Sequence, residues 1–174
     1  MLEYEDLTEV VLVGHSYGGM VISGTAEQAT KRLAHLVYLD ASVPNDGQSA
    51  LDLLRPNSRD AFLALVRSQG DGWLLPTPAL ASDGSIFGVK EPVDIEWVRV
   101  KLKPHPFKTL QQPVQLKTNA IIPCTFINCI GDKPRGGEKP SAAERMRYEE
   151  LSTGHDAMVT APHELAQLLL ECVS

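Results

Sequence analysis

A serine between two glycines near the start of the chain has the clearest chemistry of any residue in the sequence. Ser16 lies in Gly14-His-Ser-Tyr-Gly18, directly after an apolar run at residues 10–13. A serine hydroxyl is a weak nucleophile at neutral pH and needs a base to take its proton. A tight turn from a buried strand into a helix projects such a hydroxyl, and we expect it to be crowded enough to need glycine on both sides. The pattern therefore predicts that Ser16 is a nucleophile.

The same turn predicts where negative charge is stabilised. Ser16 stands at the start of a helix, where free backbone amides and the helix dipole favour an anion. The N–H of the next residue, Tyr17, is then directed at an oxygen that becomes negative during attack. Tyr17 is the predicted oxyanion-hole residue.

The base should be a histidine on a loop that follows a later strand. Of the five histidines, His155 alone follows a predicted strand and precedes the last predicted helix, so it is the predicted base. His15 flanks the nucleophile and is expected to line or support the turn. His105 could line a pocket, although a structural role is favoured, and His35 and His163 are expected near the surface.

A third group, a carboxylate, must accept the other imidazole N–H of the base. Asp132 follows an apolar strand and stands between nucleophile and base in chain order, so it is the favoured candidate. Asp40 is a rival because it also ends a predicted strand. Asp156 is a second rival, but it is too close in sequence to turn back onto the ring of His155.

The elements around these residues predict an α/β fold with a mostly parallel sheet. The strand at 10–13, a helix from Gly18 or Gly19 towards Ala29 and a buried strand at 36–39 form a βαβ unit. Further strands are expected at 123–130 and 148–151. A final helix opens at Pro162 and carries its apolar residues on one face.

The middle of the chain has a different character. Seven prolines interrupt short helical patterns between residues 44 and 118, and the segment is too apolar for a disordered linker. We interpret residues 45–118 as an inserted helical cap, with residues 1–44 and 119–174 forming the core.

Composition limits the classes of binding partner and the cellular compartment that we expect. The formal net charge of −6 disfavours nucleic acid and anionic membranes, which attract basic patches. Three cysteines cannot all pair, and no signal peptide or membrane span is recognisable, so a reducing cytoplasm is predicted. Neither a metal-ligand spacing nor a nucleotide fingerprint is present in the sequence, so we expect no metal and no cofactor.

Four motifs together resemble a known family: Gly14-His-Ser-Tyr-Gly-Gly19, Leu39-Asp-Ala-Ser-Val-Pro44, Pro104-His-Pro-Phe107 and Gly154-His-Asp-Ala-Met158. The set is similar to bacterial esterases of the α/β-hydrolase family related to plant hydroxynitrile lyases and methylesterases, including salicylate-binding esterases. The resemblance implies cofactor-free hydrolysis of carboxylic esters. It also implies that Ser16, Asp132 and His155 form the triad and that residues 45–118 form the lid.

Two departures from that family bear on function. Its cyanogenic lyases carry a lysine after the catalytic histidine to stabilise cyanide, whereas Asp156 stands here, which argues against lyase chemistry. The family also has strands and a His-Gly loop before the nucleophile, whereas Ser16 here follows only fifteen residues. We therefore expect a truncated hydrolase sheet, whose exposed edge is covered by residues 1–8, by a partner in a homodimer, or by the cap. Loss of one oxyanion donor costs roughly 2.7–4 kcal/mol, so weakened activity is expected.

The leading hypothesis is a carboxylesterase acting on a small-molecule ester. The alternatives are a catalytically weak or inactive small-molecule binder and a protein that assembles through its exposed edge. Substrate-pocket candidates are His15, Trp97, His105 and Met158, although packing of the cap is an equal role for its aromatic residues.

Overall fold

A four-stranded parallel sheet forms the centre of the computed structural model, which describes residues 1–81, 84–117, 121–131 and 141–172. The strands are β1 (Val10–His15), β2 (Leu33–Leu39), β3 (Leu74–Leu75), β4 (His105–Pro106), β5 (Cys124–Cys129) and β6 (Arg147–Leu151). The helices are α1 (Gly18–Ala29), α2 (Pro56–Gln69), α3 (Pro92–Lys101), α4 (Phe107–Gln111), α5 (Ala157–Thr160) and α6 (Pro162–Glu171).

The sheet order is β1-β2-β5-β6, with every neighbouring pair parallel. The inner strands β2 and β5 hold its most buried side chains, Val37 and Ile127, which are fully excluded from solvent. Parallel strands need helical crossovers that cover the faces of the sheet, and α1 supplies the one between β1 and β2. The predicted α/β class with a mostly parallel sheet is confirmed.

Strand β1 is less buried than its sequence suggests. The apolar run predicts burial on both faces, but Val13 is 40% exposed and Val11 is only partly buried. That prediction is wrong for β1 because, among the described strands, only β2 pairs with it and the other edge stays open. A continuous apolar run marks a central strand only when neighbours flank it on both sides.

The segment before β1 does not cover that edge with a strand. Residues 1–7 form turns, and Arg32 donates to the carboxylate of Asp6 at 3.0 Å and to the carbonyl of Leu7 at 3.0 Å. Leu2 packs in the apolar cluster that contains Leu12. The segment is therefore anchored beside the start of β2 rather than paired along β1.

Two helices lie where their apolar patterns predicted. The helix expected from Gly18 or Gly19 to Ala29 is α1, and the helix expected after Pro162 is α6. Leu165 of α6 is buried in one cluster with Val37 and Ile127 of the sheet. The 3.6-residue period thus identified the face that packs on the strands.

The proline-rich middle contains α2, α3, α4 and the small antiparallel pair β3–β4. Leu51, Val66 and Phe107 from this segment share a buried cluster with Met20 of α1. The segment therefore packs on α1, the helix that follows Ser16, and its division from the core as a separate cap stays a prediction. Over the described ranges, no helix is both long and apolar enough to cross a membrane.

Candidate active site

Ser16 occupies a strained turn between β1 and α1. Its φ is +55°, a left-handed conformation that is uncommon for residues other than glycine. Its N–H donates to the carbonyl of Leu39 at 3.2 Å, and its own carbonyl accepts from Ser42 N–H at 3.0 Å. Backbone from the end of β2 therefore holds both sides of this residue, which is how a strained conformation persists.

At two positions around Ser16, any residue larger than glycine would clash with the backbone. A Cβ at Gly14 would lie 2.6 Å from the carbonyl oxygen of Gly18, and one at Gly19 would lie 2.0 Å from that of Ser42. At Gly18 itself, a Cβ would meet nothing within 4 Å. The expectation that glycine is needed at both ends of the five-residue motif holds for Gly14 and is wrong for Gly18; the second crowded position is Gly19.

Tyr17 joins the turn to the middle segment. It is the N-cap residue of α1, so its N–H belongs to the first amides of the helix, which have no acceptor within the helix. Its phenol O–H donates to the carbonyl of Thr109 at 3.2 Å, and its ring meets that of His105 edge-on at 5.1 Å. His105 in turn lies 2.6 Å from Thr109 Oγ1.

His155 is paired with a carboxylate that sequence reasoning ranked second. Its Nδ1 lies 2.6 Å from Asp40 Oδ2, and both side chains are about three-quarters buried. Asp40 directly follows β2 with φ +41°, and its N–H donates to Ile127 O at 2.8 Å. Asp132, the favoured candidate, lies outside the described residues. The carboxylate that contacts the imidazole in the described structure is therefore Asp40.

The predicted nucleophile and the predicted base share no hydrogen bond among the described contacts. Among the contacts of the described residues, no hydrogen bond links Ser16 Oγ to His155. In unliganded enzymes such bonds are often long and tighten only around substrate. Since Asp40 accepts from Nδ1–H, the ring nitrogen of His155 that carries a free lone pair is Nε2.

His15 supports the loop of the predicted base. Its Nε2 lies 2.9 Å from the carbonyl oxygen of His155, and the two rings stack obliquely with centroids 4.4 Å apart. Burial, followed by the neighbouring His155, lowers the pKa of His15. Its Nε2 also lies 3.9 Å from Asp156 Oδ1, a carboxylate whose pKa is raised chiefly by burial.

Cys129 lies near Asp40 and Asp156, but its thiol is unreactive. Burial, with the charges of Asp40 and Asp156 added, raises the pKa of its thiol to about 12. A nucleophilic cysteine must be a thiolate near neutral pH. Cys129 is therefore a poor nucleophile, and Ser16 stays the predicted one.

A turn from the middle segment packs closely against the His155 loop. The Cα atoms of Gly88 and Gly154 approach so closely that a Cβ on Gly154 would lie 2.5 Å from Gly88 Cα. Phe87, with φ +52°, accepts a hydrogen bond from Asp156 N–H at 3.1 Å, and its ring lies 5.6 Å from that of His155. The loop around the imidazole is thus held from both the sheet and the middle segment.

Two of the four pocket candidates line the same recess. Trp97 and Met158 line a shallow recess of about 240 Å³ and are 53% and 42% exposed. His105 lies against Tyr17, and His15 lies against His155. The contact between Gly88 and Gly154 was not predicted, although Gly154 opens the fourth quoted motif, because it joins residues more than sixty positions apart in the sequence.

Comparison with known proteins decides the family. Residues 2–168 match the alpha/beta hydrolase family over nearly the whole chain. The chain belongs to the alpha/beta hydrolase family.

The relatives of this hydrolase include esterases. It is 32% identical over 182 residues to the carbendazim hydrolyzing esterase of a Nocardioides species, covering 97% of this chain and 73% of that protein. A Paenibacillus extracellular alpha/beta-hydrolase, described as sharing structural and functional homology with tobacco salicylic acid binding protein 2, superposes with a TM-score of 0.81 at 23% identity. That superposition covers 98% of this chain and 74% of the other. The Arabidopsis methylesterase MES16 gives a TM-score of 0.61 at 19% identity, covering 95% and 70%.

The glycine contact predicts that Gly154→Ala destabilises the hydrolase. The added methyl group has no room against Gly88, and overpacking of this kind costs roughly 1–3 kcal/mol. Urea unfolding followed by circular dichroism measures the loss. Gly18→Ala is the matched control, because its Cβ meets open space and should leave stability unchanged or slightly higher. Equal stability of Gly154→Ala and the unsubstituted protein would contradict the close contact.

Proposed function

We propose that this hydrolase cleaves carboxylic esters of small molecules through an acyl-enzyme on Ser16. The observation that carries the proposal is the strained turn at the carboxyl end of β1, which presents Ser16 at the start of α1. His155 follows β6 at the same end of the parallel sheet and already holds a carboxylate on Nδ1. The kinship with a bacterial esterase supports ester chemistry in particular.

The reaction uses three groups in succession. Ser16 Oγ attacks the ester carbonyl carbon while Nε2 of His155 takes the hydroxyl proton. The N–H of Tyr17 donates to the carbonyl oxygen as it becomes negative. The imidazolium then returns the proton to the departing alcohol, which leaves an acyl group on Ser16. Water, deprotonated by the same imidazole, hydrolyses that ester and regenerates the serine.

We also propose that Asp40 orients His155 and stabilises the imidazolium. The 2.6 Å contact to Nδ1 supports this role, since a carboxylate at that position fixes the tautomer that leaves Nε2 free. Asp40 is placed by β2 itself rather than by a long loop. Asp132 remains the other candidate, from the resemblance of its sequence position to the triad of related esterases.

Small esters with short alcohol groups are the proposed substrates. A methylesterase is among the similar structures, and an esterase is among the similar sequences. The second candidate is a binder of small ligands without turnover.

The first test is hydrolysis of p-nitrophenyl acetate and of a methyl ester by the purified chain. Ser16→Ala should lower kcat/KM by at least about 10³-fold, because residues of a catalytic triad act as a unit. Ser58→Ala, on an exposed position of α2, is the matched control and should keep full activity. If the folded protein is no more active than Ser16→Ala, the esterase proposal fails and the binder takes its place.

The second test separates the two carboxylates. Asp40→Asn keeps the shape of the side chain but removes its charge, and we expect a fall in kcat on the order of 10³–10⁴-fold with little change in KM. Asp132→Asn should change kcat by less than tenfold. The opposite ranking would assign the orienting role to Asp132 and reduce Asp40 to a structural contact.

We propose further that a second copy of the chain pairs with the open edge of β1. The support is an apolar edge strand with Val13 exposed, an arrangement that attracts another strand. Light scattering should give the mass of two chains, and Val13→Lys should shift the protein towards one chain by placing a charge on the edge. A monodisperse single chain at all concentrations would contradict the dimer. The cytoplasmic location also stays a prediction.

A further inference from the structure

The loop of His155 brings together three metal-ligating side chains that lie far apart in the sequence. One ring nitrogen of His15, one of His155 and a carboxylate oxygen of Asp156 all lie within 4.8 Å of one another. His15 precedes the nucleophile at the end of β1, whereas the other two follow β6, so the sheet itself supplies the meeting point. We propose that these residues bind a zinc ion, and that the bound ion reversibly blocks the hydrolase.

The donor set suits zinc. Zn²⁺ favours imidazole nitrogen and carboxylate oxygen, and sites with three protein ligands leave a fourth position for water. Ligand atoms about 2.0–2.1 Å from a tetrahedral ion stand about 3.3 Å from one another. The 3.9 Å between His15 Nε2 and Asp156 Oδ1 is already close to that spacing. The three ligand atoms lie within 4.8 Å of one another, so side-chain rotations that bring them up to about 1.5 Å closer together complete the site.

The carboxylate of Asp156 has a reason to accept a cation. Its side chain is only 14% exposed, and in the described contacts its charged oxygens meet His15 at 3.9 Å rather than at hydrogen-bond distance. A carboxylate so poorly paired and largely out of water is an unfavourable arrangement. A divalent ion between Asp156 and the two imidazoles would neutralise it.

Asp40 prepares His155 as a ligand. Metal-binding histidines generally donate their second N–H to a carboxylate, which fixes the tautomer and makes the coordinating nitrogen more basic. Asp40 already accepts from Nδ1 at 2.6 Å, leaving Nε2 for the ion. His15 would exchange its hydrogen bond to His155 O for the metal, with its proton moving to Nδ1.

Zinc would inhibit the hydrolase because it occupies Nε2 of His155. The Nε2 lone pair that coordinates zinc is the one that takes the proton of Ser16 in the proposed reaction, so both cannot occur together. This second half of the proposal rests on the proposed function. The binding of zinc does not.

Isothermal titration calorimetry with zinc chloride tests the binding directly. We expect one ion per chain, with His15→Gln and Asp156→Asn each weakening the affinity at least about tenfold. His163→Gln is the matched control, because His163 is exposed on α6, and it should bind as the unsubstituted protein does. The three free cysteines stay in all variants, so binding through thiols would survive both substitutions.

The outcomes are separable. No stoichiometric binding, or binding unchanged by both substitutions, overturns the site. Asp156→Asn is nearly isosteric, so it keeps the test decisive even if His15→Gln disturbs the loop. Zinc binding in a chain without esterase activity would keep the site and remove the proposed function. In an active chain, inhibition by zinc should be relieved by a chelator and weakened in Asp156→Asn; inhibition of equal strength in that variant would refute the mechanism.

Discussion

The carboxyl end of β2 holds the whole site together. The carbonyl of Leu39 accepts the N–H of Ser16, and the next residue, Asp40, takes the imidazole of His155. Asp40 is itself tied by its N–H to Ile127 of β5. The backbone at residues 39–40, at the end of a strand that lies between β1 and β5, thereby positions both the serine and the histidine. Residues at this end of a parallel sheet meet because all strands finish on the same side.

Local sequence patterns were enough to predict some of the secondary-structure elements. The turn at Ser16, the helix after it and the amphipathic α6 could all be predicted, because glycine spacing and 3.6-residue periodicity report directly on local geometry. The apolar run alone misreports the burial of β1, since exposure depends on how many strands flank it; the open edge was expected only from the resemblance to a family with strands before the nucleophile. The open edge at Val13 is a property of the assembly of strands rather than of the run of valines.

The side-chain partners were harder to predict than the elements. His155 meets Asp40 across 115 residues and His15 across 140, and several aspartates in the sequence satisfy the same rule of chain order. Choosing Asp132 used that order, whereas the observed contact depends on where β2 ends relative to β6. The role of Gly19 was missed for a similar reason: the atom it avoids, the carbonyl of Ser42, belongs to another strand connection.

The contact between Gly88 and Gly154 couples the evolution of two regions distant in sequence. Neither position has space for a side chain, and the carbonyl of Phe87 accepts a hydrogen bond from Asp156 N–H in the same loop, so the two turns fit together. A middle segment transplanted from another hydrolase would bring its own turn and would displace His155 unless the loop came with it. Substitutions at 87–88 and 153–156 should therefore be inherited together, and exchange of middle segments between relatives must preserve this contact.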